Sequence, residues 1–206
     1  MKKLFLTIFA TVLVLTLSPP SAFAQDYDVG GLKIGMSQTE VETIISENGY
    51  EPYFKAGRKT HIQTAPTFEQ AVQQKQGKYF PKKNQEGLGS LVFQKDNREV
   101  IGVQFREFPS GPVVIGVSYS LRDKTITQPV FVERVASKYG KADQNTAMPD
   151  TSTWLGDEDI VIDGISIKET LRRPGIGLNL TGLVNSVDYN TALNAATPAP
   201  KGSTSF

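Results

Sequence analysis

Apolar residues three and four positions apart predict a first helix that begins just after Ser37. Ser37 is a natural N-cap and Glu40 lies three residues later, so each side chain is placed to accept a hydrogen bond from the backbone N–H of the other residue. Asn48–Gly49 supplies residues that commonly end a helix. A short strand is predicted before Gly35. The apolar stripe of the helix consists of Val41, Ile44 and Ile45.

Apolar and polar residues alternate along three later stretches of the chain. A period of two is typical of strands that bury one face. Asp96–Asn97 and Pro109–Pro112 supply the turns between the stretches, so we predict three strands in an antiparallel meander. The alternating apolar residues are Leu91, Phe93, Ile101, Val103, Phe105, Val113, Ile115, Val117 and Tyr119.

A second helix and a second group of strands follow the meander. The helix begins near Thr127 and ends at Gly140, with Pro129 in its first turn, where the missing N–H costs little. The pattern indicates an α+β fold in which helices pack on an antiparallel sheet, arranged as two tandem helix-plus-meander units. The apolar stripe of the second helix consists of Phe131, Val135 and Tyr139. The further predicted elements are strands at 153–155, 159–172 with a break near residue 163, and 175–183, and a short helix at 187–193.

The first 24 residues have the pattern of a cleaved bacterial export signal. Lys2–Lys3 gives a positive start, Leu4–Leu17 is an uncharged apolar run, and Ala22–Ala24 places small residues at the cleavage site. The apolar run is shorter than the roughly 20 residues that a spanning helix needs. The chain has no cysteine to carry a lipid or form a disulfide. We therefore expect a soluble mature protein that begins at Gln25, has no stable membrane anchor and is periplasmic, with secretion as the alternative.

The predicted elements divide the mature chain into two units. The first unit covers residues 25–124 and the second covers residues 125–196. Residues 197–206 contain Pro, Gly and Ser without an apolar face, which predicts a disordered tail. Residues 51–89 lose the strand periodicity and are rich in Gly, Pro, Gln and Lys, so we predict an irregular, partly mobile excursion from the first unit. Within it, Thr67–Gln76 is expected to form a short capped helix.

The segment Leu32–Val41 resembles the entry motif of small bacterial envelope proteins in the SmpA/OmlA (BamE-like) group: a hydrophobic residue, Gly, Met, Ser or Thr, two variable residues, Glu and Val. Phe131–Asp143 is similar to a degenerate copy of the helix ending common in that group. The resemblance implies α+β units related to the β-lactamase-inhibitor-protein fold, with roles in protein binding or envelope assembly in place of catalysis. Lipoprotein members carry a lipid-modified cysteine after the signal, which this chain lacks.

Charge and side-chain chemistry narrow the classes of function. Without Lys2 and Lys3 the 22 basic residues become 20, against 21 acidic residues. A mature chain so close to neutrality lacks the basic surface that nucleic-acid binding requires. His61 is the single histidine and is interpreted as an exposed loop residue; with no cysteine, the usual zinc ligand sets are excluded. No phosphate-binding glycine loop or Gly-x-Ser-x-Gly motif is present, so we expect no cofactor, no metal and no enzymatic activity.

A group of carboxylates supports an alternative interpretation. Their spacing does not match an EF-hand loop, and a solvated turn between strands is the simpler explanation. Carboxylate oxygens also suit calcium, and a pair of carboxylates can act as acid and base, so an extracytoplasmic hydrolase or a calcium-dependent protein is the alternative function. The neighbouring Trp154 is expected to pack in the core or in a hairpin. The carboxylates are Asp150, Asp157, Glu158, Asp159 and Asp163.

Basic residues interleaved with aromatic residues in the 51–89 excursion form the candidate binding surface. Such residues can hold an acidic protein surface or an anionic polymer, although many runs of this kind are solvated loops with docked aromatic rings. The leading hypothesis is a non-enzymatic module that binds another envelope protein or an anionic surface polymer through its sheet surface and this excursion. The candidate residues are Lys55, Arg58, Lys59, Lys78, Tyr79, Phe80, Lys82 and Lys83.

Overall fold

A computed structural model describes residues 27–55, 58–59, 61–122, 125–140, 144–145, 152–155, 160–163, 176–183 and 186–197, with the backbone alone at 54–55, 58–59, 128, 144–145, 152–155, 160–163 and 176–177. The helices in these ranges are α1 (Gln38–Glu47), α2 (Phe68–Lys75), α3 (Gln128–Tyr139) and α4 (Val187–Ala196), with one 3₁₀ turn at Lys82–Asn84. The strands are β1 (Glu51–Pro52), β2 (Phe54–Lys55), β3 (Arg58–Lys59), β4 (Ile62–Ala65), β5 (Gly87–Lys95), β6 (Glu99–Phe108), β7 (Gly111–Leu121), β8 (Gln144–Asn145), β9 (Ser152–Leu155), β10 (Ile160–Asp163) and β11 (Ile176–Gly182).

An antiparallel sheet runs through most of the described strands, in the order β1-β5-β6-β7-β11-β10-β9-β8, with β4 also paired to β5. The predicted meander is confirmed as β5, β6 and β7. Asp96 and Asn97 both have positive φ values, 50° and 56°, as the two central residues of a type I′ hairpin turn require. The predicted α+β class is therefore confirmed, and the two groups of strands meet where β7 pairs with β11.

Side chains on one face of the sheet form rows that cross the junction of the two groups of strands. Val103 of β6 lies opposite Leu91 of β5 and Val117 of β7. Val117 in turn lies opposite Leu180 of β11. Directly opposite residues in antiparallel strands project from the same face, so the row continues across the junction without interruption. A second row consists of Phe93, Ile101, Tyr119 and Leu178.

Helices α1 and α3 both pack on this face of the sheet. Val41 and Ile45 of α1 are buried in the same core cluster as Phe131, Val135 and Tyr139 of α3. The apolar stripes predicted for the two helices are therefore confirmed at these residues. A single core lies beneath both helices.

The capping box predicted at the start of α1 is confirmed. The Ser37 backbone N–H donates to a carboxylate oxygen of Glu40 at 2.8 Å, and the Glu40 N–H donates to the Ser37 hydroxyl oxygen. The strand predicted before Gly35 is wrong: this segment makes only isolated bridges, Val29 with Leu32 and Ser37 with Val113. Gly35 has a φ of 89°, and its turn brings Ser37 to the edge of β7.

Residues 51–89 contain more regular structure than the loss of periodicity indicated. β1 and β4 both pair with β5, and α2 begins at the predicted cap Thr67 with a complete capping box to Gln70. The prediction of an irregular excursion is corrected for these elements. It missed the strands because β1 and β4 are short and lie at the sheet margin, where residues such as Gln63 are solvent-exposed and give no apolar period.

A smaller cluster lies on the opposite face of the sheet. Phe108 follows Phe105 by an odd number of residues, and Phe105 points into the main core, so Phe108 projects from the other face. The ring of Tyr189 in α4 meets Phe108 at 5.1 Å and Phe68 of α2 at 6.0 Å between centroids, both edge to face. Arg106 lies over the Tyr189 ring at 4.9 Å. This cluster holds α2 and α4 together.

Valine-to-alanine substitutions at a buried and an exposed site test the core assignment. Val103 is 0% exposed, so Val103→Ala leaves a cavity and is expected to lower the free energy of unfolding by about 2 to 3 kcal/mol. Val187 is 75% exposed, and Val187→Ala is expected to change that free energy by less than about 0.5 kcal/mol. Urea unfolding of both variants measures the difference. Equal effects would contradict the assignment of Val103 to the core.

Candidate functional site

The lysine loop, which we define as residues 78–83, presents an exposed aromatic ring among cations. Tyr79 is 82% exposed, and Lys82 and Lys83 are exposed in the 3₁₀ turn. Phe80 is half-buried, and the Lys78 ammonium group lies 4.8 Å from the centre of its ring. The aromatic residue at 79 is therefore not docked on the core. It is available at the surface for contact with another molecule.

A buried glutamine holds the base of the lysine loop. The Gln70 side chain donates to the Asn84 carbonyl at 2.8 Å and accepts from the backbone N–H groups of Glu86 and Thr67. A second contact joins the Thr64 hydroxyl to the Lys82 carbonyl. These bonds fix both the start of α2 and the return of the chain to β5. These hydrogen bonds thus hold the base of the lysine loop at the edge of the sheet.

The remaining predicted binding residues lie on a separate hairpin. Lys55 is in β2 and Arg58–Lys59 forms β3, and the two strands pair with each other. Their side chains lie outside the described residues. The structure therefore brings together the candidate residues of the lysine loop, namely Lys78, Tyr79, Phe80, Lys82 and Lys83.

A second candidate site is a cleft between α3 and the sheet, with a volume of about 320 Å³. Four of its polar side chains come from separate parts of the chain: Tyr50 before β1, Glu99 at the start of β6, Tyr119 of β7 and Arg134 of α3. No pattern in the sequence predicted this cleft. The other lining residues are Val29, Gly30, Phe131, Val135, Lys138, Tyr139 and Leu178.

Glu99 is the centre of the polar group in the α3 cleft. The Tyr50 hydroxyl donates to a Glu99 carboxylate oxygen at 2.5 Å. Burial, followed by the hydrogen bond and negative charge of Glu99, raises the pKa of Tyr50 well above its usual range. Burial and the same carboxylate also raise the pKa of Tyr119, against a smaller opposing effect of Arg134. Both tyrosines therefore remain protonated and keep their donor hydrogens at neutral pH.

An ion pair involves Lys138, which also lines the α3 cleft. The Lys138 ammonium group lies 2.7 Å from a carboxylate oxygen of Asp28, which also accepts from the Gly31 N–H. Partial burial opposes ionisation of both groups, but the hydrogen bonds outweigh it, so the pKa of Asp28 is lowered and that of Lys138 is raised. The Tyr139 hydroxyl donates to the Asp28 carbonyl. The N-terminal turn is thereby fastened to the end of α3.

The residues of the alternative carboxylate site lie largely outside the described part of the chain. Asp150, Asp157, Glu158 and Asp159 are not described, and Asp163 is described only as backbone at the end of β10. The ring of Trp154 is likewise outside the described residues. Among the side chains that are described, no three of His, Cys, Asp and Glu lie close enough together to hold a metal ion.

The prediction that His61 is an exposed loop residue needs a correction. The residue is half-buried, and its carbonyl accepts from the Val92 N–H at 2.8 Å beside β4. It therefore belongs to the margin of the sheet.

Comparisons with known proteins leave the chain without an assigned family, because no family model, no curated protein and no solved structure matches it. Within the described ranges, no helix combines the length and apolar character needed to cross a membrane.

The Gln70 contacts predict a stability effect that a neighbouring glutamine lacks. Gln70→Ala leaves the Asn84 carbonyl and two backbone N–H groups without their partner, and is expected to lower the free energy of unfolding by about 1 to 3 kcal/mol. Amide hydrogen exchange in the lysine loop should accelerate. Gln74→Ala is the control, because the Gln74 side chain makes no hydrogen bond within the described residues. Similar exchange rates in both variants would argue against the conclusion that Gln70 holds the base of the lysine loop.

The raised tyrosine pKa values predict a loss of stability in alkaline solution. Tyrosines in the unfolded chain ionise near pH 10, whereas Tyr50 and Tyr119 stay protonated in the fold at that pH. Their contribution to the free energy of unfolding is therefore fully present below about pH 10 and is lost as the pH rises through their raised pKa values. The urea midpoint of the wild-type protein should therefore be lower at about pH 10.5 than at pH 8. In a Tyr50→Phe, Tyr119→Phe double variant, the difference between these two midpoints should be smaller. Tyr79→Phe, at an exposed position, is the control and should show the wild-type difference between the two urea midpoints. If the two midpoints of the double variant differ as much as those of the wild type, Tyr50 and Tyr119 do not cause the alkaline loss of stability.

Proposed function

We propose that this chain is an exported, non-enzymatic binding module of the bacterial envelope, periplasmic or secreted, that recognises an acidic surface of another envelope protein. The proposal combines the export signal expected at residues 1–24 with the surface chemistry of the lysine loop. A resemblance of Leu32–Val41 to the entry motif of the SmpA/OmlA group is consistent with it. The proposed activity is contact between proteins, with no reaction at the site.

The observation that carries the proposal is the exposure of Tyr79 on a supported loop. The Tyr79 side chain is 82% exposed, so most of its apolar ring surface faces water. A partner that covers the ring removes this surface from water, which favours binding. Tyrosine is enriched among the residues that dominate binding energy in protein interfaces. Because the Gln70 contacts already order the loop base, a partner meets a surface that loses little conformational freedom on binding.

The charge of the lysine loop supports an acidic partner. Lys78, Lys82 and Lys83 lie within four positions of Tyr79 in sequence, and the loop contains no acidic residue. A local positive potential accelerates encounter with a negative surface, and this effect weakens as salt is added. Since the mature chain as a whole is near neutral, the attraction is local to the loop.

We also propose that the fold is a tandem pair of helix-plus-meander units related to the β-lactamase-inhibitor-protein fold. Two features support the proposal. The strand order β5-β6-β7-β11-β10-β9 is symmetrical about the β7–β11 junction, with the last strand of each meander at the centre. Each meander is preceded by a helix, α1 or α3, and both helices pack on the same face. An approximate two-fold axis normal to the sheet relates units with this arrangement.

Site-specific photocrosslinking in intact cells tests the binding proposal. A photoreactive phenylalanine analogue at Tyr79 is expected to form a discrete adduct with one envelope protein. Changing Lys78, Lys82 and Lys83 to Glu should abolish that adduct because the loop then repels an acidic surface. With the partner purified, the affinity of the wild-type chain should fall as salt rises from about 50 to 300 mM, since the screening length shortens.

The same analogue at Asn97 is the matched control. Asn97 is also exposed in a turn, but it follows the end of β5, whereas the lysine loop precedes its start. A nine-residue strand therefore separates the two positions by about 25 Å. Equal adducts at both positions, or no adduct at Tyr79, would refute the lysine loop as the binding surface.

A further inference from the structure

We propose that the α3 cleft is a binding site for one uncharged sugar ring. The inference is independent of the protein-binding proposal, because the cleft and the lysine loop share no residues. It is based on the size of the cleft, its balance of hydrogen-bonding groups, its charge and its aromatic walls.

The dimensions of the α3 cleft suit a small ligand. Its volume of about 320 Å³ is at the low end of the range for small-molecule sites, so it accommodates a single ring more readily than an extended chain. Its apolar walls are Val29, Phe131, Val135 and Leu178, and one group of its polar side chains includes Tyr50, Glu99 and Tyr119. Apolar walls with a few convergent polar groups are typical of ligand sites.

The polar groups of the α3 cleft combine unused acceptors with unused donors. A carboxylate offers about four acceptor positions, and Tyr50 and Tyr119 occupy two of those on Glu99, which leaves about two for a ligand. Arg134 also lines the cleft, and within the described residues its guanidinium group makes no hydrogen bond or ion pair. Sugar hydroxyls both donate and accept, so adjacent hydroxyls can donate to Glu99 and accept from Arg134. A ligand with only donors would satisfy Glu99 but not Arg134, and a ligand with only acceptors would satisfy Arg134 but not Glu99.

The charge of the α3 cleft favours a neutral occupant. Glu99 is negative, Arg134 is positive, and Lys138 is already paired with Asp28 at 2.7 Å. An anionic ligand attracted to Arg134 would also be repelled by Glu99, and a cationic ligand would meet the reverse conflict. A hydroxylated ring is stabilised by both side chains without either penalty.

The aromatic side chains of the α3 cleft provide a surface for the C–H groups of a sugar. The rings of Tyr119 and Phe131 are parallel within 2°, with centroids 6.4 Å apart. Two other lining rings already carry cations of the protein itself: Lys95 lies 5.6 Å from the centre of Tyr50, and Lys138 lies 4.8 Å from the centre of Tyr139. These cations further disfavour an ammonium ligand and leave the Tyr119–Phe131 pair as the apolar platform.

Amide chemical-shift titration of the mature protein tests the proposal. The neutral probes are the methyl glycosides of glucose, galactose and mannose, with N-acetylglucosamine; glucosamine and glucuronate are the matched charged probes. At least one neutral probe should shift the amides of Gly30, Val135 and Leu178, with a Kd of about 1 mM or tighter. No shift with any neutral probe at about 50 mM, which is well above that Kd, would overturn the proposal, as would tighter binding of either charged probe.

Charge-removing variants locate the binding site within the cleft. Arg134→Gln should weaken the neutral probe about tenfold, and Glu99→Gln should weaken it similarly, because each loses a charge-assisted hydrogen bond to a hydroxyl. Arg98→Gln and Glu133→Gln make the same chemical changes at exposed positions outside the cleft and should retain the wild-type affinity. Arg134 is exposed, so its variant is expected to fold, and unchanged affinity in that variant would overturn the assignment.

Discussion

The pairing of β7 with β11 is the contact on which the rest of the molecule depends. It places Val117 beside Leu180 and Tyr119 beside Leu178, so the rows of core side chains pass from one group of strands to the other. Without this register, α1 and α3 would cover two separate sheets, each with an exposed lateral edge. With it, both helices share one core. The α3 cleft also depends on it, because Tyr119 and Leu178 contribute to the same wall.

The N-terminal turn completes the core that this pairing creates. Val29 and Leu32 are buried in the main cluster, and Asp28 is bound to Lys138 and Tyr139 at the end of α3. These partners are more than a hundred residues apart in sequence, so their contacts close a long loop at a larger entropic cost than a local contact. The chain has no cysteine, so these distant contacts join parts of the fold that no disulfide links.

Local features of the fold were predictable and distant ones were not. The capping boxes at Ser37 and Thr67 and the turn at Asp96–Asn97 depend on residues within a few positions, so their sequence pattern determined them. The β7–β11 register joins segments about sixty residues apart and leaves no mark in either strand. For the same reason composition indicated the lysine loop but not the α3 cleft, whose polar residues come from four distant parts of the chain. The capping contact of Gln70 with Thr67 is local, whereas its contact with Asn84 joins residues that no local pattern relates.

The positions of the two surfaces imply that they work independently. The lysine loop precedes β5 and the polar end of the α3 cleft follows it, so the full strand separates them by about 25 Å. Coupling between sites requires an element with two arrangements that both occupants bias. β5 is paired with β6 from Ser90 to Lys95 and with β1 and β4 on its other edge, so both of its edges are held by neighbouring strands. We therefore expect binding at one proposed surface to leave the affinity of the other unchanged, so that the proposed sugar and the proposed protein partner could be bound at the same time.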